Sequence, residues 1–201
     1  RPRFVVALAV VAALQAWIQQ NMITFLPKYI SDLGEPASVY GLFAGLFVGG
    51  SAVGNVIGGN LADRDGKQRG AETTFVLASF PLFAFAALGW TPLLFLLAPL
   101  SGLFTGAVFS ILVVTAQRSL PAGMATASGL TLGFMFSAGA LGTLLCGPLA
   151  DRYGWPLIFT LTGLLALVAA VITAFLRLDA KTGPAQPEPQ LAGSLAARQI
   201  K

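Results

Sequence analysis

Residues 59–69 read Gly-Asn-Leu-Ala-Asp-Arg-Asp-Gly-Lys-Gln-Arg, a charged turn set between two long apolar runs. A helix needs roughly 17–25 residues to cross the hydrocarbon core of a bilayer. The runs on either side, 39–62 and 73–90, meet that length, so the turn joins two membrane spans. Four more runs of the same kind lie outward from it, at 4–30, 92–116, 124–150 and 155–176. None alternates with the period of two that a barrel strand requires, and inside lipid only helices and closed barrels satisfy their own backbone hydrogen bonds. The expected fold class is an all-α membrane protein, with a six-helix transmembrane domain over residues 1–178. The polar, Pro-rich segment 179–201 is expected to be a disordered cytoplasmic tail.

Composition agrees with a lipid solvent. Of 201 residues, 56% are hydrophobic and 10% charged, and the mean hydropathy is +0.79; ordinary globular chains carry roughly 25% charged residues. Histidine is absent, which removes the commonest general base and zinc ligand together. The single cysteine, Cys146, excludes an intrachain disulfide and reads as a small packing residue. No Asp, Glu, Lys or Arg stands clearly at mid-membrane. That excludes an intramembrane aspartyl protease, and the lack of a Ser-His pair excludes a rhomboid-type protease. A carboxylate proton relay within this stretch is excluded as well. No Walker-type phosphate loop is present, so ATP hydrolysis is not expected of this chain. Neither an enzyme nor any cofactor or metal site is expected.

Basic residues set the orientation. With the N-terminus inside, Arg1, Arg3, Arg64, Lys67, Arg69, Arg118, Arg177, Lys181, Arg198 and Lys201 fall on the inner side, and Lys28 and Arg152 on the outer. This positive-inside bias puts both ends in the cytoplasm, although the last two lie in a remote tail. The sequence pI near 9.6 follows from the same bias, and no basic run with interleaved aromatics points to nucleic acid. Arg1, Arg3 and the run from Phe4 imitate a signal peptide, but the run is too long and lacks a cleavage site. The chain begins without Met, which implies a fragment.

Small residues repeat every four positions in the second run, on two ladders: Gly41, Gly45, Gly49 and Gly50, Gly54, Gly58. Gly129 and Gly133, then Gly139 and Gly142, repeat the theme in the fifth. Such spacing lets membrane helices approach closely, either as static packing or as a sliding contact. Pro81, Pro99 and Pro148 are expected to break or kink their helices. Polar residues at depth are few. Gln15 and Gln19 share one helix face, and Ser101 and Thr105 share another. Each pair serves either interhelical hydrogen bonding or a substrate pathway, with Asn55 a further candidate. Gln15 stands near mid-span, where an unpaired amide is costly, so it must face protein or a wet cavity.

In order as well as composition, the turn resembles the loop signature of the major facilitator superfamily, G-x-L-a-D-r-x-G-r-k. Gly59, Leu61, Ala62, Asp63, Arg64, Gly66 and Lys67 match in sequence and Arg69 keeps a base nearby, while Gln68 departs from the usual basic choice. Gly59 permits close packing, Gly66 permits the turn, and Asp63 is placed to meet the positive end of a neighbouring helix. Arg64, Lys67 and Arg69 face acids or lipid headgroups. Residues 147–155, Gly-Pro-Leu-Ala-Asp-Arg-Tyr-Gly-Trp, echo the pattern on the outer side, where Asp151 and Arg152 are placed to pair with each other. The strings 24–29 and 116–121 are similar to the fosmidomycin-resistance branch of efflux proteins.

The resemblance implies one half of a twelve-helix bundle built around a central cavity, and the chain ends favour the C-terminal half. It further implies secondary active transport by alternating access, an efflux permease for small organic molecules driven by an ion gradient in the inner membrane. Its partners would be the lipid bilayer, a small-molecule substrate, and an N-terminal six-helix half or a second copy. The first and fourth helices would line the cavity, making Gln15, Gln19, Ser101 and Thr105 substrate contacts. A six-helix homodimer and the permease subunit of an ATP-driven transporter remain alternatives.

Overall fold

The computed structural model describes residues 2–63, 67–119 and 124–175, with side chains over 4–60, 70–118 and 125–175. The described residues form six helices: α1 Pro2–Asp32, α2 Ala37–Asp63, α3 Lys67–Ala87, α4 Leu94–Ser119, α5 Met124–Tyr153 and α6 Trp155–Phe175. All are long and apolar enough to cross a membrane. Even α3 and α6, with 21 residues each, reach roughly 32 Å at about 1.5 Å per residue, the thickness of the hydrocarbon core. The chain is thus a multi-pass, all-α membrane protein.

Tight connections keep the helices up and down. Gly34 and Gly154 take φ of 88° and 81°, a left-handed conformation that glycine adopts without a Cβ penalty. The Gly154 amide donates to the Ala150 carbonyl at 2.9 Å, closing α5 so that α6 starts at once, with Pro156 in its first turn. The helices run unbroken through Pro81, Pro99 and Pro148, and α1 does so through Pro27. The expected local breaks at the first three are therefore absent. A proline removes one backbone hydrogen bond, and neighbouring helices in a membrane bundle tolerate that loss.

The main core unites α1, α2, α3, α4 and α6. Ile18, Met22, Leu26, Phe43, Phe47, Phe75, Leu82, Phe85 and Phe159 are almost wholly enclosed within it. Helix α5 contributes nothing to this cluster. It leans on α1 and α6 through Phe25, Cys146, Ala150 and Ile158, and on α1 again through Ala12, Ala16 and Met135. Aromatics gather at the end holding the α1–α2 and α5–α6 turns, where Trp155 meets Phe25 and Tyr29, and Trp90 meets Phe43 and Phe95. Such amphipathic rings suit a membrane interface. There Asp32 accepts a bond from the Trp155 indole at 3.0 Å and pairs with Lys28.

The two glycine ladders of α2 separate. A methyl group at Gly50, Gly54 or Gly58 would overlap the α4 backbone at Pro99, Leu103 and Ala107. Gly102 and Gly106 of α4 return the contact against Phe47 and Ser51. A methyl group at Gly41, Gly45 or Gly49, or at Gly129 or Gly133 of α5, would meet no neighbouring element within 4 Å. Gly139 and Gly142, further along α5, press on α1 at Ala16 and the Trp17 ring.

Candidate functional site: a polar layer on both faces of α1

Gln15 is fully buried. Its Nε2 donates to the Thr105 carbonyl of α4 at 2.7 Å and to Gln19 Oε1 at 3.3 Å. A carbonyl only accepts, which fixes this amide's orientation. Gln19 Nε2 then donates to Ser51 Oγ of α2 at 3.1 Å. One chain of hydrogen bonds therefore crosses three helices, beside the glycine contact that brings α2 and α4 together. The close approach has a polar consequence, because Ser51 sits against Gly106 within reach of α1.

The other candidates are placed differently. Ser101 and Thr105 are fully enclosed, and their hydroxyls donate within α4, to Ala98 O at 2.8 Å and Ser101 O at 2.8 Å. Thr105 joins the layer through its carbonyl alone, and Ser101 does not join it. Asn55 lies one turn beyond Ser51. Its Oδ1 and Gln15 Oε1 are buried acceptors with no hydrogen-bond partner among the described residues, an expensive condition at this depth. Of the charged turn, the side chains of Leu61, Ala62, Asp63, Arg64, Gly66, Lys67 and Arg69 lie outside the described residues. Gly59 is within them, and a Cβ built there would lie 3.5 Å from Ser110 Oγ, an ordinary contact.

A second network went unread in the sequence. Asn21 is buried and ties three helices: Nδ2 donates to Thr162 Oγ1 of α6 at 3.1 Å and to Cys146 Sγ of α5 at 3.4 Å, while Oδ1 accepts from Thr143 Oγ1 at 3.2 Å. The Trp17 indole also donates to Cys146 Sγ, at 3.4 Å. Trp17 and Asn21 stand four apart, as Gln15 and Gln19 do, and two residues of helix turn through about 200°. One helix thus carries two polar faces, one toward α2 and α4 and the other toward α5 and α6. The i,i+4 spacing that singled out the glutamines was the signal available for this pair too. Cys146 packs as expected and also accepts these two weak bonds. The expected pairing of Asp151 with Arg152 does not form, since the Arg152 guanidinium lies 5.5 Å from the Tyr153 ring centroid. The described residues contain no cluster of His, Cys, Asp or Glu able to hold a metal.

The family model described as Major Facilitator Superfamily matches residues 8–200. The chain belongs to this superfamily. Among superfamily relatives, the fosmidomycin resistance protein of Escherichia coli (strain K12) is 34% identical over 137 residues, 67% of this chain and 32% of that protein. The multidrug efflux pump Tap of Mycolicibacterium fortuitum is 29% identical over 156 residues, 75% of this chain and 37% of that one. This chain therefore spans about a third of the length of the curated relatives it matches. Among solved structures, a peptide transporter POT in complex with alafosfalin overlays with a TM-score of 0.75 at 21% identity, covering 97% of this chain and 44% of that chain. A D-xylose-proton symporter gives 0.56 at 16% identity, covering 98% and 51%. At these identities the overlays establish the six-helix fold.

Proposed function

We propose that this chain is a six-helix half, the C-terminal one, of a secondary active transporter that exports small organic molecules by alternating access, driven by an ion gradient. The observation that carries the reading is the buried chain Thr105–Gln15–Gln19–Ser51 across α4, α1 and α2, in a superfamily whose relatives include proteins named for efflux and drug resistance. Amides at mid-membrane with acceptors left over suit a pathway that meets polar cargo. The second half, an N-terminal six-helix domain or another copy, would cover α2 and α5. These helices have the smallest buried share of their spans, 28% each, and both expose unpacked glycines. The turn at 59–69 would gate the cytoplasmic side of the inner membrane, with both chain ends on that side.

Flux in reconstituted vesicles tests the pathway. Gln15→Leu with Gln19→Leu should insert normally and lower transport about tenfold, the effect of losing roughly one hydrogen bond's worth of discrimination. Unchanged kinetics would remove both residues from the pathway. Asp63→Asn should slow turnover at matched expression, and an unaltered rate would count against gating by the loop.

A further inference from the structure

Two buried oxygens on neighbouring helices accept no hydrogen bond among the described residues, Gln15 Oε1 on α1 and Asn55 Oδ1 on α2. Register puts them at one level. Helices α1 and α2 run antiparallel across the tight turn at Gly34, and Gln19 meets Ser51 between them. One turn inward along each helix, about 6 Å, comes to Gln15 on one side and Asn55 on the other. Helix α4 gives the same level independently. Its Thr105 carbonyl holds Gln15, while Gly54, next to Asn55, lies against Leu103 and Ala107, on either side of Thr105.

The layer has no donor to spare for this pair. The Thr105 carbonyl fixes the Gln15 amide, so its oxygen cannot change places with its nitrogen. The Gln19 amide is spent on Ser51, and the Thr105 hydroxyl on its own helix. Two unpaired acceptors at this depth are costly, and one atom carrying two donor hydrogens complements both. No ionised side chain belongs to the layer, so nothing there offsets the desolvation of a full charge, and the fitting occupant is neutral. Water has that chemistry, and so does the NH2 of a primary carboxamide. Asn55 is only partly covered, which puts the pair close beneath the surface of α2.

We propose that Gln15 and Asn55 form a two-acceptor subsite for the NH2 of a neutral primary carboxamide, with a water molecule in its place when no solute is bound. The assignment deepens the transporter reading by naming a substrate class, and it makes Asn55 a specificity-determining residue. A subsite built to accept hydrogen bonds rejects an analogue that lacks the donors. Binding does not require flux, so the subsite and the transport reading are separable.

The test is equilibrium binding of benzamide to the purified chain in lipid nanodiscs, corrected for empty nanodiscs. Acetophenone, with a methyl group where benzamide has its NH2, is the control probe. The wild type should prefer benzamide about tenfold or more, and benzamide should raise its melting temperature. Asn55→Leu should cut the preference to about threefold or less by weakening benzamide alone. Without ligand, the same variant should melt no lower than the wild type, because it removes an unpaired acceptor. Equal affinity for the two probes in the wild type overturns the proposal; that result is expected if water alone fills the pair or if Asn55 turns its own nitrogen toward Gln15. A preference that survives Asn55→Leu overturns it as well. The expected preference in a protein that moves no solute in vesicles would sink the transport reading and leave the subsite standing.

Discussion

Helix α2 carries two glycine ladders of identical spacing and opposite fate. Gly50, Gly54 and Gly58 lie against the backbone of α4, whereas Gly41, Gly45 and Gly49 look out on empty space. The first ladder removes side chains so that two backbones can touch. In lipid that contact replaces the hydrophobic drive that joins helices in water, since acyl chains are as apolar as leucine. The second ladder does nothing for this bundle, and its flat surface is available to another. A periodic motif therefore marks a place where something can approach, and the neighbouring helix decides whether the approach happens within the chain.

Substitutions can break or sharpen that contrast. The largest effect is expected at Gly54→Leu, where the Leu103 carbonyl and Ala107 amide already occupy the space a Cβ needs. Backbone atoms yield less than side chains, so the loss should exceed the ~1–3 kcal/mol typical of overpacking, and thermal unfolding in detergent should show no native transition. A stable Gly54→Leu protein would mean that α2 and α4 are not so close. Next comes Gly142→Ala, whose methyl meets the Trp17 ring rather than backbone. We expect a loss of about 1–2 kcal/mol, because a side chain can shift. Asn21→Leu should cost about as much in total, from three membrane hydrogen bonds that average roughly 0.6 kcal/mol each, and should loosen α5 before the rest. Gly45→Ala is the smallest. With open space around it, the gain in helix propensity of up to ~1 kcal/mol stands unopposed. Its stability should be equal or slightly higher, and any marked loss would reveal a contact on the open ladder. Gly45→Leu, equally harmless to the isolated fold, should abolish transport if this face meets a second half.

The contrast also shows what the sequence could reveal. Run length and the absence of period-two alternation made the six-helix class legible, because the bilayer fixes the length of any element that crosses it. The ordered match from Gly59 to Lys67 made the superfamily legible. The periodicity said which glycines share a face without saying which face is covered. In water a hydrophobic stripe would have answered that, but a helix apolar all round has no such stripe. The hydroxyls of Ser101 and Thr105 stay within α4, because deep in a membrane helix a Ser or Thr can satisfy itself on the preceding turn of its own backbone. Glutamine and asparagine are too long and too rich in donors for that. Gln15 and Gln19 did reach across helices, and Asn21, passed over, did so most widely. Pro27 was passed over as well, although it lies within α1.

The burial of Cys146 has an experimental consequence. It is the only thiol in the chain, it is wholly enclosed, and Trp17 and Asn21 cap it from α1. A maleimide can reach it only while α5 stands away from α1 or from α6, whose Ile158 shares its cluster, so alkylation of the unmodified protein is a stopwatch for the release of α5. If excess reagent labels Cys146 at a rate independent of its concentration, the rate is the rate at which α5 parts from its neighbours, read without any engineered probe.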